Sequence, residues 1–152
     1  MRRVNMTVAF LGSDDYWRTT ELVLRKWNIF HKLVAEGADI FIFTNANNFD
    51  RTCYEMIAQL KMHHSNIELH YYHAGFDYDV GYMAYMSEIY DKVFFPPMGS
   101  LLPRQVRDRQ IIDKCDILIT YCSANPLHEG QQRTALSIEY AKQKNKRVIN
   151  II

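Results

Sequence analysis

Six short runs of apolar and β-branched residues recur along the 152-residue chain, and segments with helical spacing separate them. The runs are apolar on both faces, which is typical of strands in a parallel sheet covered by helices on each side. The predicted strands span residues 4–11, 38–44, 67–72, 92–95, 116–121 and 147–151. This alternation predicts a Rossmann-like, doubly wound α/β fold with a mainly parallel sheet of about six strands and helices on both faces.

Apolar residues at helical spacing mark five segments between these strands. The predicted helices cover residues 17–36, 48 or 50 to 62, 80–90, 104–114 and 131–144. Gly37 suits the left-handed position that ends the first helix, and Asn48 or Asp50 is the predicted cap of the second. Length and the absence of a linker or repeat predict a single domain over residues 1–152.

The amino-acid composition of the chain limits the kinds of partner that we expect it to bind. The 18 basic and 17 acidic side chains give a formal net charge of +1, so no long-range attraction to nucleic acid or membrane is expected. No run approaches the ~20 apolar residues that span a bilayer. Cys53, Cys115 and Cys122 are odd in number and lack CxxC spacing, which indicates free thiols in a reducing compartment. We therefore expect a cytoplasmic protein without a membrane or nucleic-acid partner.

Three amides follow the second predicted strand, in the stretch NANNFD at residues 45–50. In open parallel sheets, ligands bind beyond the carboxyl ends of the strands. One amide is enough to cap the next helix, and Asn also tolerates left-handed backbone. Two interpretations therefore stay open for Asn45 and Asn47: they serve the turn, or they contact a ligand.

The same rule selects two further loops. Gly12 and Ser13 follow the first strand, and the loop after residues 121–123 leads through Gly130 into the last helix. Each loop opens a helix whose free backbone N–H groups favour an anion. Glycine lets the backbone approach a ligand closely.

A basic cluster stands at the start of the helix predicted over residues 104–114. Arg104, Arg107 and Asp108 share one face of this helix by three- and four-residue spacing. Arginine in a first turn opposes the helix dipole unless a negative group offsets it. Asp108 or a bound phosphate could be that group, and a solvated surface is the remaining interpretation.

Several motifs are missing from the sequence. Neither GxGxxG nor GxxxxGK[ST] occurs, GxSxG is absent, and the six histidines show no metal-ligand spacing. We therefore predict neither a metal nor a cofactor.

Three segments carry a resemblance to a known family. GADIFIFTNANNFDRTCYEMIAQLK, LPRQVRDRQIIDKCDILITYC and EGQQRTALSIEYAKQKNKRVINI resemble the small bacterial and phage-associated members of the SLOG superfamily. That superfamily includes the YpsA group, the DNA-processing protein DprA and the cytokinin-releasing LOG enzymes. The resemblance implies a Rossmann-like domain that binds nucleotides or nucleotide-derived ligands. It implies that residues 45–50 form the first ligand loop, that Arg107 and Asp108 take the place of an Arg-Asn pair, and that Glu129 and Gly130 belong to the second loop.

The leading functional prediction is a protein that binds a nucleotide-like signalling ligand, as a sensor or as a sequestering module. Arginines would meet phosphate, the amide loop would meet base or ribose, and glycines would give backbone access. The predicted ligand-binding residues are Gly12, Ser13, Asn45, Asn47, Asp50, Arg104, Arg107, Asp108, Gly130 and Arg133.

Two alternatives stay open. One is a hydrolase or transferase that acts on the N-glycosidic bond of nucleoside monophosphates, with Asp50, Glu55 or Glu129 as the carboxylate. The other is a protein-interaction module without a ligand, based on the Tyr-, Met- and Phe-rich residues 76–98. These aromatic residues would pack in the core, cover a ligand, or form the surface of the homo-oligomer that we expect.

Overall fold

A computed structural model describes residues 5–13, 19–75, 78–97, 100–122 and 129–152, with only the backbone of residues 129 and 130. Within these ranges, six strands and five helices alternate along the chain. The strands are β1 (Met6–Gly12), β2 (Ala38–Phe43), β3 (Glu68–Tyr72), β4 (Lys92–Phe94), β5 (Ile117–Tyr121) and β6 (Arg147–Asn150). The helices are α1 (Thr20–Ala35), α2 (Asn48–Lys61), α3 (Val80–Ile89), α4 (Arg104–Lys114) and α5 (Glu129–Gln143).

The strands form one parallel sheet in the order β4-β3-β2-β1-β5-β6. Strand order reverses at β1, which lies between β2 and β5. Residues of α1, α2 and α3 join the buried cluster on one face of the sheet, and residues of α4 and α5 join the cluster on the other. The predicted doubly wound α/β fold is therefore confirmed.

Alternate residues of β1 point to opposite faces of the sheet and belong to the two buried clusters. Val8 and Phe10 belong to the larger cluster, where the Phe10 ring stacks on Phe43 with centroids 4.8 Å apart. Ala9 and Leu11 belong to the cluster beneath α4 and α5. Because both faces of β1 are buried from Val8 to Leu11, these four residues must be apolar, as they are. Burial of each large apolar side chain contributes roughly 1.5–3 kcal/mol.

The predicted cap of α2 was wrong by one or three residues. The cap is Asn47, whose extended backbone (φ −156°) lets its Oδ1 accept a hydrogen bond from the Asp50 N–H at 3.1 Å. The left-handed backbone predicted for Gly37 is confirmed, with φ at +109°. The described part of the first helix begins at Thr20, and residues 17 and 18 of the predicted helix lie outside the described residues. The helix α5 begins at Glu129 instead of residue 131. Val4, in the first predicted strand, lies outside the described residues.

The three cysteines are thiols outside any disulfide, as the sequence predicted, and all three are buried. Burial raises the pKa of the Cys115 thiol to about 12 and also raises the pKa of Cys53, so both are protonated packing groups at neutral pH. In the aromatic region, Met86 and Tyr90 pack in the core, whereas Val80 and Tyr85 are 66% and 59% exposed. No helix within the described ranges combines the length and the apolar character needed to cross a membrane.

Candidate functional site

A polar pocket, called here the polar niche, opens where strand order reverses. The carboxyl ends of β1 and β2 form one side, and residues from the start of α4 and from the second and third turns of α5 form the other. The lining residues are Leu11, Gly12, Thr44, Ala46, Asn47, Asp50, Arg104, Arg107, Asp108, Arg133, Thr134 and Ser137. Its volume of about 30 Å³ accommodates a few ligand atoms, since a cavity needs roughly 10–15 Å³ by this measure to hold one water molecule.

The structure brings most of the predicted ligand-binding residues together at this niche. Asn45 lies beside it, in an adjoining cavity, and Ser13 is buried behind Thr134, with the two hydroxyl oxygens 3.3 Å apart. Glu55 is elsewhere, in a groove between α1 and α2. Glu129 and Gly130 begin α5, and the structure describes only their backbone.

The amides of the loop after β2 have structural roles. Asn45 adopts left-handed backbone with φ at +51°, which asparagine tolerates better than most residues. Asn47 caps α2 and also donates from Nδ2 to the Gly12 carbonyl at 2.8 Å, so it joins the ends of β1 and β2. Asn48, the first residue of the helix, is exposed. The turn, the cap and the link to β1 therefore account for Asn45 and Asn47 without a ligand.

The buried side chain of Asp50 fixes the same loop through hydrogen bonds. Its Oδ2 accepts hydrogen bonds from the Thr44 N–H at 2.9 Å and the Thr44 hydroxyl at 3.2 Å, and its Oδ1 accepts one from the Asn45 N–H at 2.8 Å. Complete burial raises the pKa of Asp50 to about 6, although these bonds and the nearby Arg107 favour the ionised form. The carboxyl group therefore fixes the loop and titrates close to neutral pH.

Gly12 is required by close packing. A Cβ atom at this position would lie 2.2 Å from Cδ2 of Phe49, a fully buried ring in the first turn of α2. No other residue type lets the end of β1 and the start of α2 approach this closely. The Gly12 position predicted from sequence is thus explained by the packing of α2 as well as by its place in the niche.

The guanidinium group of Arg107 is the main positive group of the niche. Arg107 is only 4% exposed, and its Nε and Nη2 both lie 3.0 Å from Oδ1 of Asp108. Arginine has five N–H donors, so three remain without an acceptor among the described residues. Arg104 is exposed and has no hydrogen bond or ion pair within the same part of the chain.

The start of α4, which carries these arginines, lacks the groups that usually offset the positive end of a helix dipole. Pro103 is its N-cap and provides no side-chain hydrogen bond, and no acidic residue stands in its first turn. The positive end of α4 and two arginines therefore face the same space. This arrangement favours an anion.

A second, larger cavity adjoins the niche and is called here the aromatic chamber. It has a volume of about 500 Å³, within the range of small-molecule pockets in proteins. The two cavities share Thr44, Ala46, Arg104 and Arg107 in their walls. The other lining residues of the chamber are Asn45, Tyr71, His73, Ala74, Gly75, Tyr82, Leu101, Leu102 and Pro103.

Sequence reasoning missed the residues of this chamber and part of α5. Tyr71 and His73 stand at the carboxyl end of β3, so the rule that selected the loops after β1, β2 and β5 would also have selected them. Thr134 and Ser137 lie one and four residues after Arg133, and helical spacing from that arginine would have indicated Ser137. Within the described ranges, no three His, Cys, Asp or Glu side chains come together as a metal site would require.

Fold and site together define a doubly wound α/β protein with a basic pocket at the carboxyl edge of its parallel sheet. No protein-family model and no curated protein matches the sequence. Membership of the SLOG superfamily therefore stays a prediction.

Proposed function

We propose that the protein binds a nucleotide or a nucleotide-derived signalling ligand, with a phosphate group of the ligand in the polar niche. The observation that carries this proposal is the buried guanidinium of Arg107, which retains unused donors beside the uncapped start of α4. The donors that Asp108 does not use are open to the niche, where a ligand can reach them. A phosphate provides several acceptor oxygens and the opposite charge.

The expected energetics favour a phosphate over a neutral ligand. A charge-assisted hydrogen bond contributes about 1.5–3 kcal/mol, and a helix N-terminus adds about 0.3–2 kcal/mol. Three arginines line the niche against two aspartates, and Asp50 carries only part of its charge near pH 6. Among the described residues that line the niche, positive groups therefore outnumber negative ones.

The assignment of groups differs from the sequence-based prediction. We assign Arg104, Arg107 and Arg133 to the phosphate, and their place in the lining of the niche supports this assignment. Asn47 and Asp50, predicted to meet base or ribose, have their side-chain oxygens occupied within the loop. Because Asp50 is held by three such bonds, the geometry supports binding, and no contact within the described ranges favours glycosidic-bond cleavage over it.

Calorimetric titration of mono-, di- and cyclic nucleotides tests the proposal. Arg104→Gln removes one exposed guanidinium from the niche, and we expect the affinity for phosphate compounds to fall about ten- to a hundredfold. Arg51→Gln is the matched control, because Arg51 is also exposed but lies on α2 outside the niche. Arg107→Lys should weaken binding as well, since lysine keeps the charge and loses the planar fork.

Two results would contradict the proposal. One is a wild-type protein that stays folded and binds none of these compounds at millimolar concentration. The other is equal loss of affinity in the Arg104 and Arg51 variants, which would point to general charge attraction instead of a site.

A further inference from the structure

A carboxyl group lies in the wall of the niche that we assign to an anion. Asp50 is buried in the first turn of α2 and lines the niche together with Arg107. A negative ligand in a niche of about 30 Å³ comes close to this carboxyl group. Repulsion between two negative groups is screened much less in a protein interior than in water. An anion in the niche therefore favours the neutral form of Asp50 over the ionised form.

The hydrogen bonds of Asp50 are compatible with both forms of the carboxyl group. The Asn45 N–H donates to Oδ1, and the Thr44 N–H and hydroxyl donate to Oδ2. The two N–H groups can only donate, whereas a hydroxyl group can rotate and accept. A proton on Oδ2 can therefore be donated to the Thr44 hydroxyl oxygen, while each carboxyl oxygen keeps its N–H donor. The loop after β2 is held whether Asp50 is charged or neutral.

Arg107 connects Asp50 with the proposed anion. Burial raises the pKa of Asp50 to about 6, and among charged side chains Arg107 opposes that rise most strongly. The same guanidinium has N–H donors that Asp108 does not use. An anion bound to these donors offsets the positive charge that favours the ionised carboxylate. Asp50 should therefore hold its proton to a higher pH in the bound protein than in the free protein.

Other titratable groups lie near Asp50. Burial, and then the charge of Asp50, raises the pKa of Tyr90, and burial raises the pKa of Cys53. Both groups therefore keep their protons at neutral pH. The other charged side chains among the described lining of the niche are Arg104, Arg107, Asp108 and Arg133. His73 lies in the wall of the adjoining aromatic chamber, and histidine is a residue type that titrates near neutral pH. The contribution of Asp50 must be distinguished from that of His73.

We propose that ligand binding is coupled to protonation of Asp50, so that an anion enters the niche together with up to one proton and the site responds to pH as well as to the ligand. The inference rests on the proposed function, because it takes the anion to lie in the niche. The direction follows from linkage. Affinity is highest below the pKa of Asp50 in the free protein, about 6, and falls as the pH rises above that value.

Two anions whose own charge is constant test the coupling. Sulfate and cyclic adenosine monophosphate keep the same charge from pH 5.5 to pH 8.5, whereas a phosphate monoester has a second pKa of about 6 and would add its own titration. We would titrate both anions into the protein by calorimetry at several pH values. Buffers with different ionisation enthalpies then give the number of protons that bind with the anion.

Three variants assign the proton to a group. Asp50→Asn removes the carboxyl group of the niche, and His73→Gln removes the histidine of the chamber. Glu55→Gln is the matched control, because Glu55 is a carboxyl group on the same helix that is exposed and lies in the groove between α1 and α2.

The wild-type protein should take up about half a proton at pH 6.5 and bind the anions about tenfold more tightly at pH 5.5 than at pH 8.5, the order expected for one proton linked to one anion. Asp50→Asn should remove most of this pH dependence, whatever its effect on the affinity at a single pH. His73→Gln, which can change the affinity itself, should keep the pH dependence, and Glu55→Gln should behave as wild type.

Failures of the inference and of the proposed function can be told apart. Binding without proton uptake would overturn the inference alone, as would a pH dependence that survives Asp50→Asn or disappears in His73→Gln. The inference alone also fails if neither anion binds but nucleoside monophosphates do. If none of these compounds binds the folded protein, the proposed function fails and the inference fails with it.

Discussion

The buried carboxyl group of Asp50 should make the stability of the protein depend on pH. Its pKa is raised from 3.8 to about 6 by complete burial. Between these two values, the folded protein holds a proton that the unfolded chain releases. The stabilising contribution of the protonated group is therefore fully present below pH 3.8 and is lost as the pH rises through about 6.

The size of the effect follows from the same two values. A pKa difference of 1 corresponds to about 1.36 kcal/mol, so the gap from 3.8 to about 6 amounts to about 3 kcal/mol in the free energy of unfolding. Asp50→Asn keeps the shape of the side chain and cannot ionise. The amide has one acceptor oxygen where the carboxylate has two, so either the Thr44 or the Asn45 N–H group loses its acceptor, which costs about 1–3 kcal/mol at every pH.

Urea denaturation of both proteins from pH 4 to pH 8 measures this contribution. The difference between wild type and variant cancels the titration of the histidines and leaves that of Asp50. We expect the wild-type advantage to shrink by about 2.4 kcal/mol across this range, because part of the titration of the unfolded chain lies below pH 4. A constant difference would place the pKa of Asp50 near 3.8. An advantage that grows with pH would show that the loop N–H groups and Arg107 outweigh burial.

Packing and capping around the niche give two further predictions. Gly12→Ala should destabilise the protein by about 1–3 kcal/mol in thermal or urea unfolding, and Phe49→Leu in the same chain should reduce that cost because the 2.2 Å approach disappears. Gly37→Ala is the control, since its Cβ would meet nothing within 4 Å. Its cost comes from the backbone angle φ of +109° alone, so Phe49→Leu should not change that cost. Asn47→Ala should cost more than the roughly 1 kcal/mol of a lost cap, because the hydrogen bond to Gly12 is also lost. Thr19→Ala is the control, since it removes only the exposed cap of α1. Equal losses of stability in the two variants would contradict a role for the Asn47 amide in joining the strands.

Much of the fold could be predicted because local chemistry determines it. Val8 to Leu11 are apolar without interruption, and only a strand buried on both faces requires that. The order of the strands could not be predicted in the same way. Alternation of strands and helices indicates parallel strands, but the position of β5 beside β1 depends on packing between segments more than 100 residues apart, such as the Thr7 N–H bonded to Asp116.

The site was predictable in position but not in the use of each residue. The carboxyl ends of the strands indicated the edge of the sheet at which the niche lies. The sequence could not show that Asp50 reaches back to Thr44, because a carboxylate in a first helical turn is equally compatible with a ligand. Nor could it show that Tyr71 and Tyr82 meet across a loop, since the same aromatic composition is typical of a core.

The roles of the polar residues follow from the lengths of their side chains. Asparagine and aspartate hold their polar atoms close to the main chain, so in the loop after β2 they bond to nearby backbone groups and fix its shape. Arginine extends much farther, and the Arg107 guanidinium is held by Asp108 at the niche with donors still unused. Its orientation is therefore set during folding, and a ligand need not order it again on binding. A change at Asn47 or Asp50 should accordingly weaken binding through the shape of the loop, together with a measurable loss of stability, whereas Arg104→Gln should weaken binding and leave stability nearly unchanged.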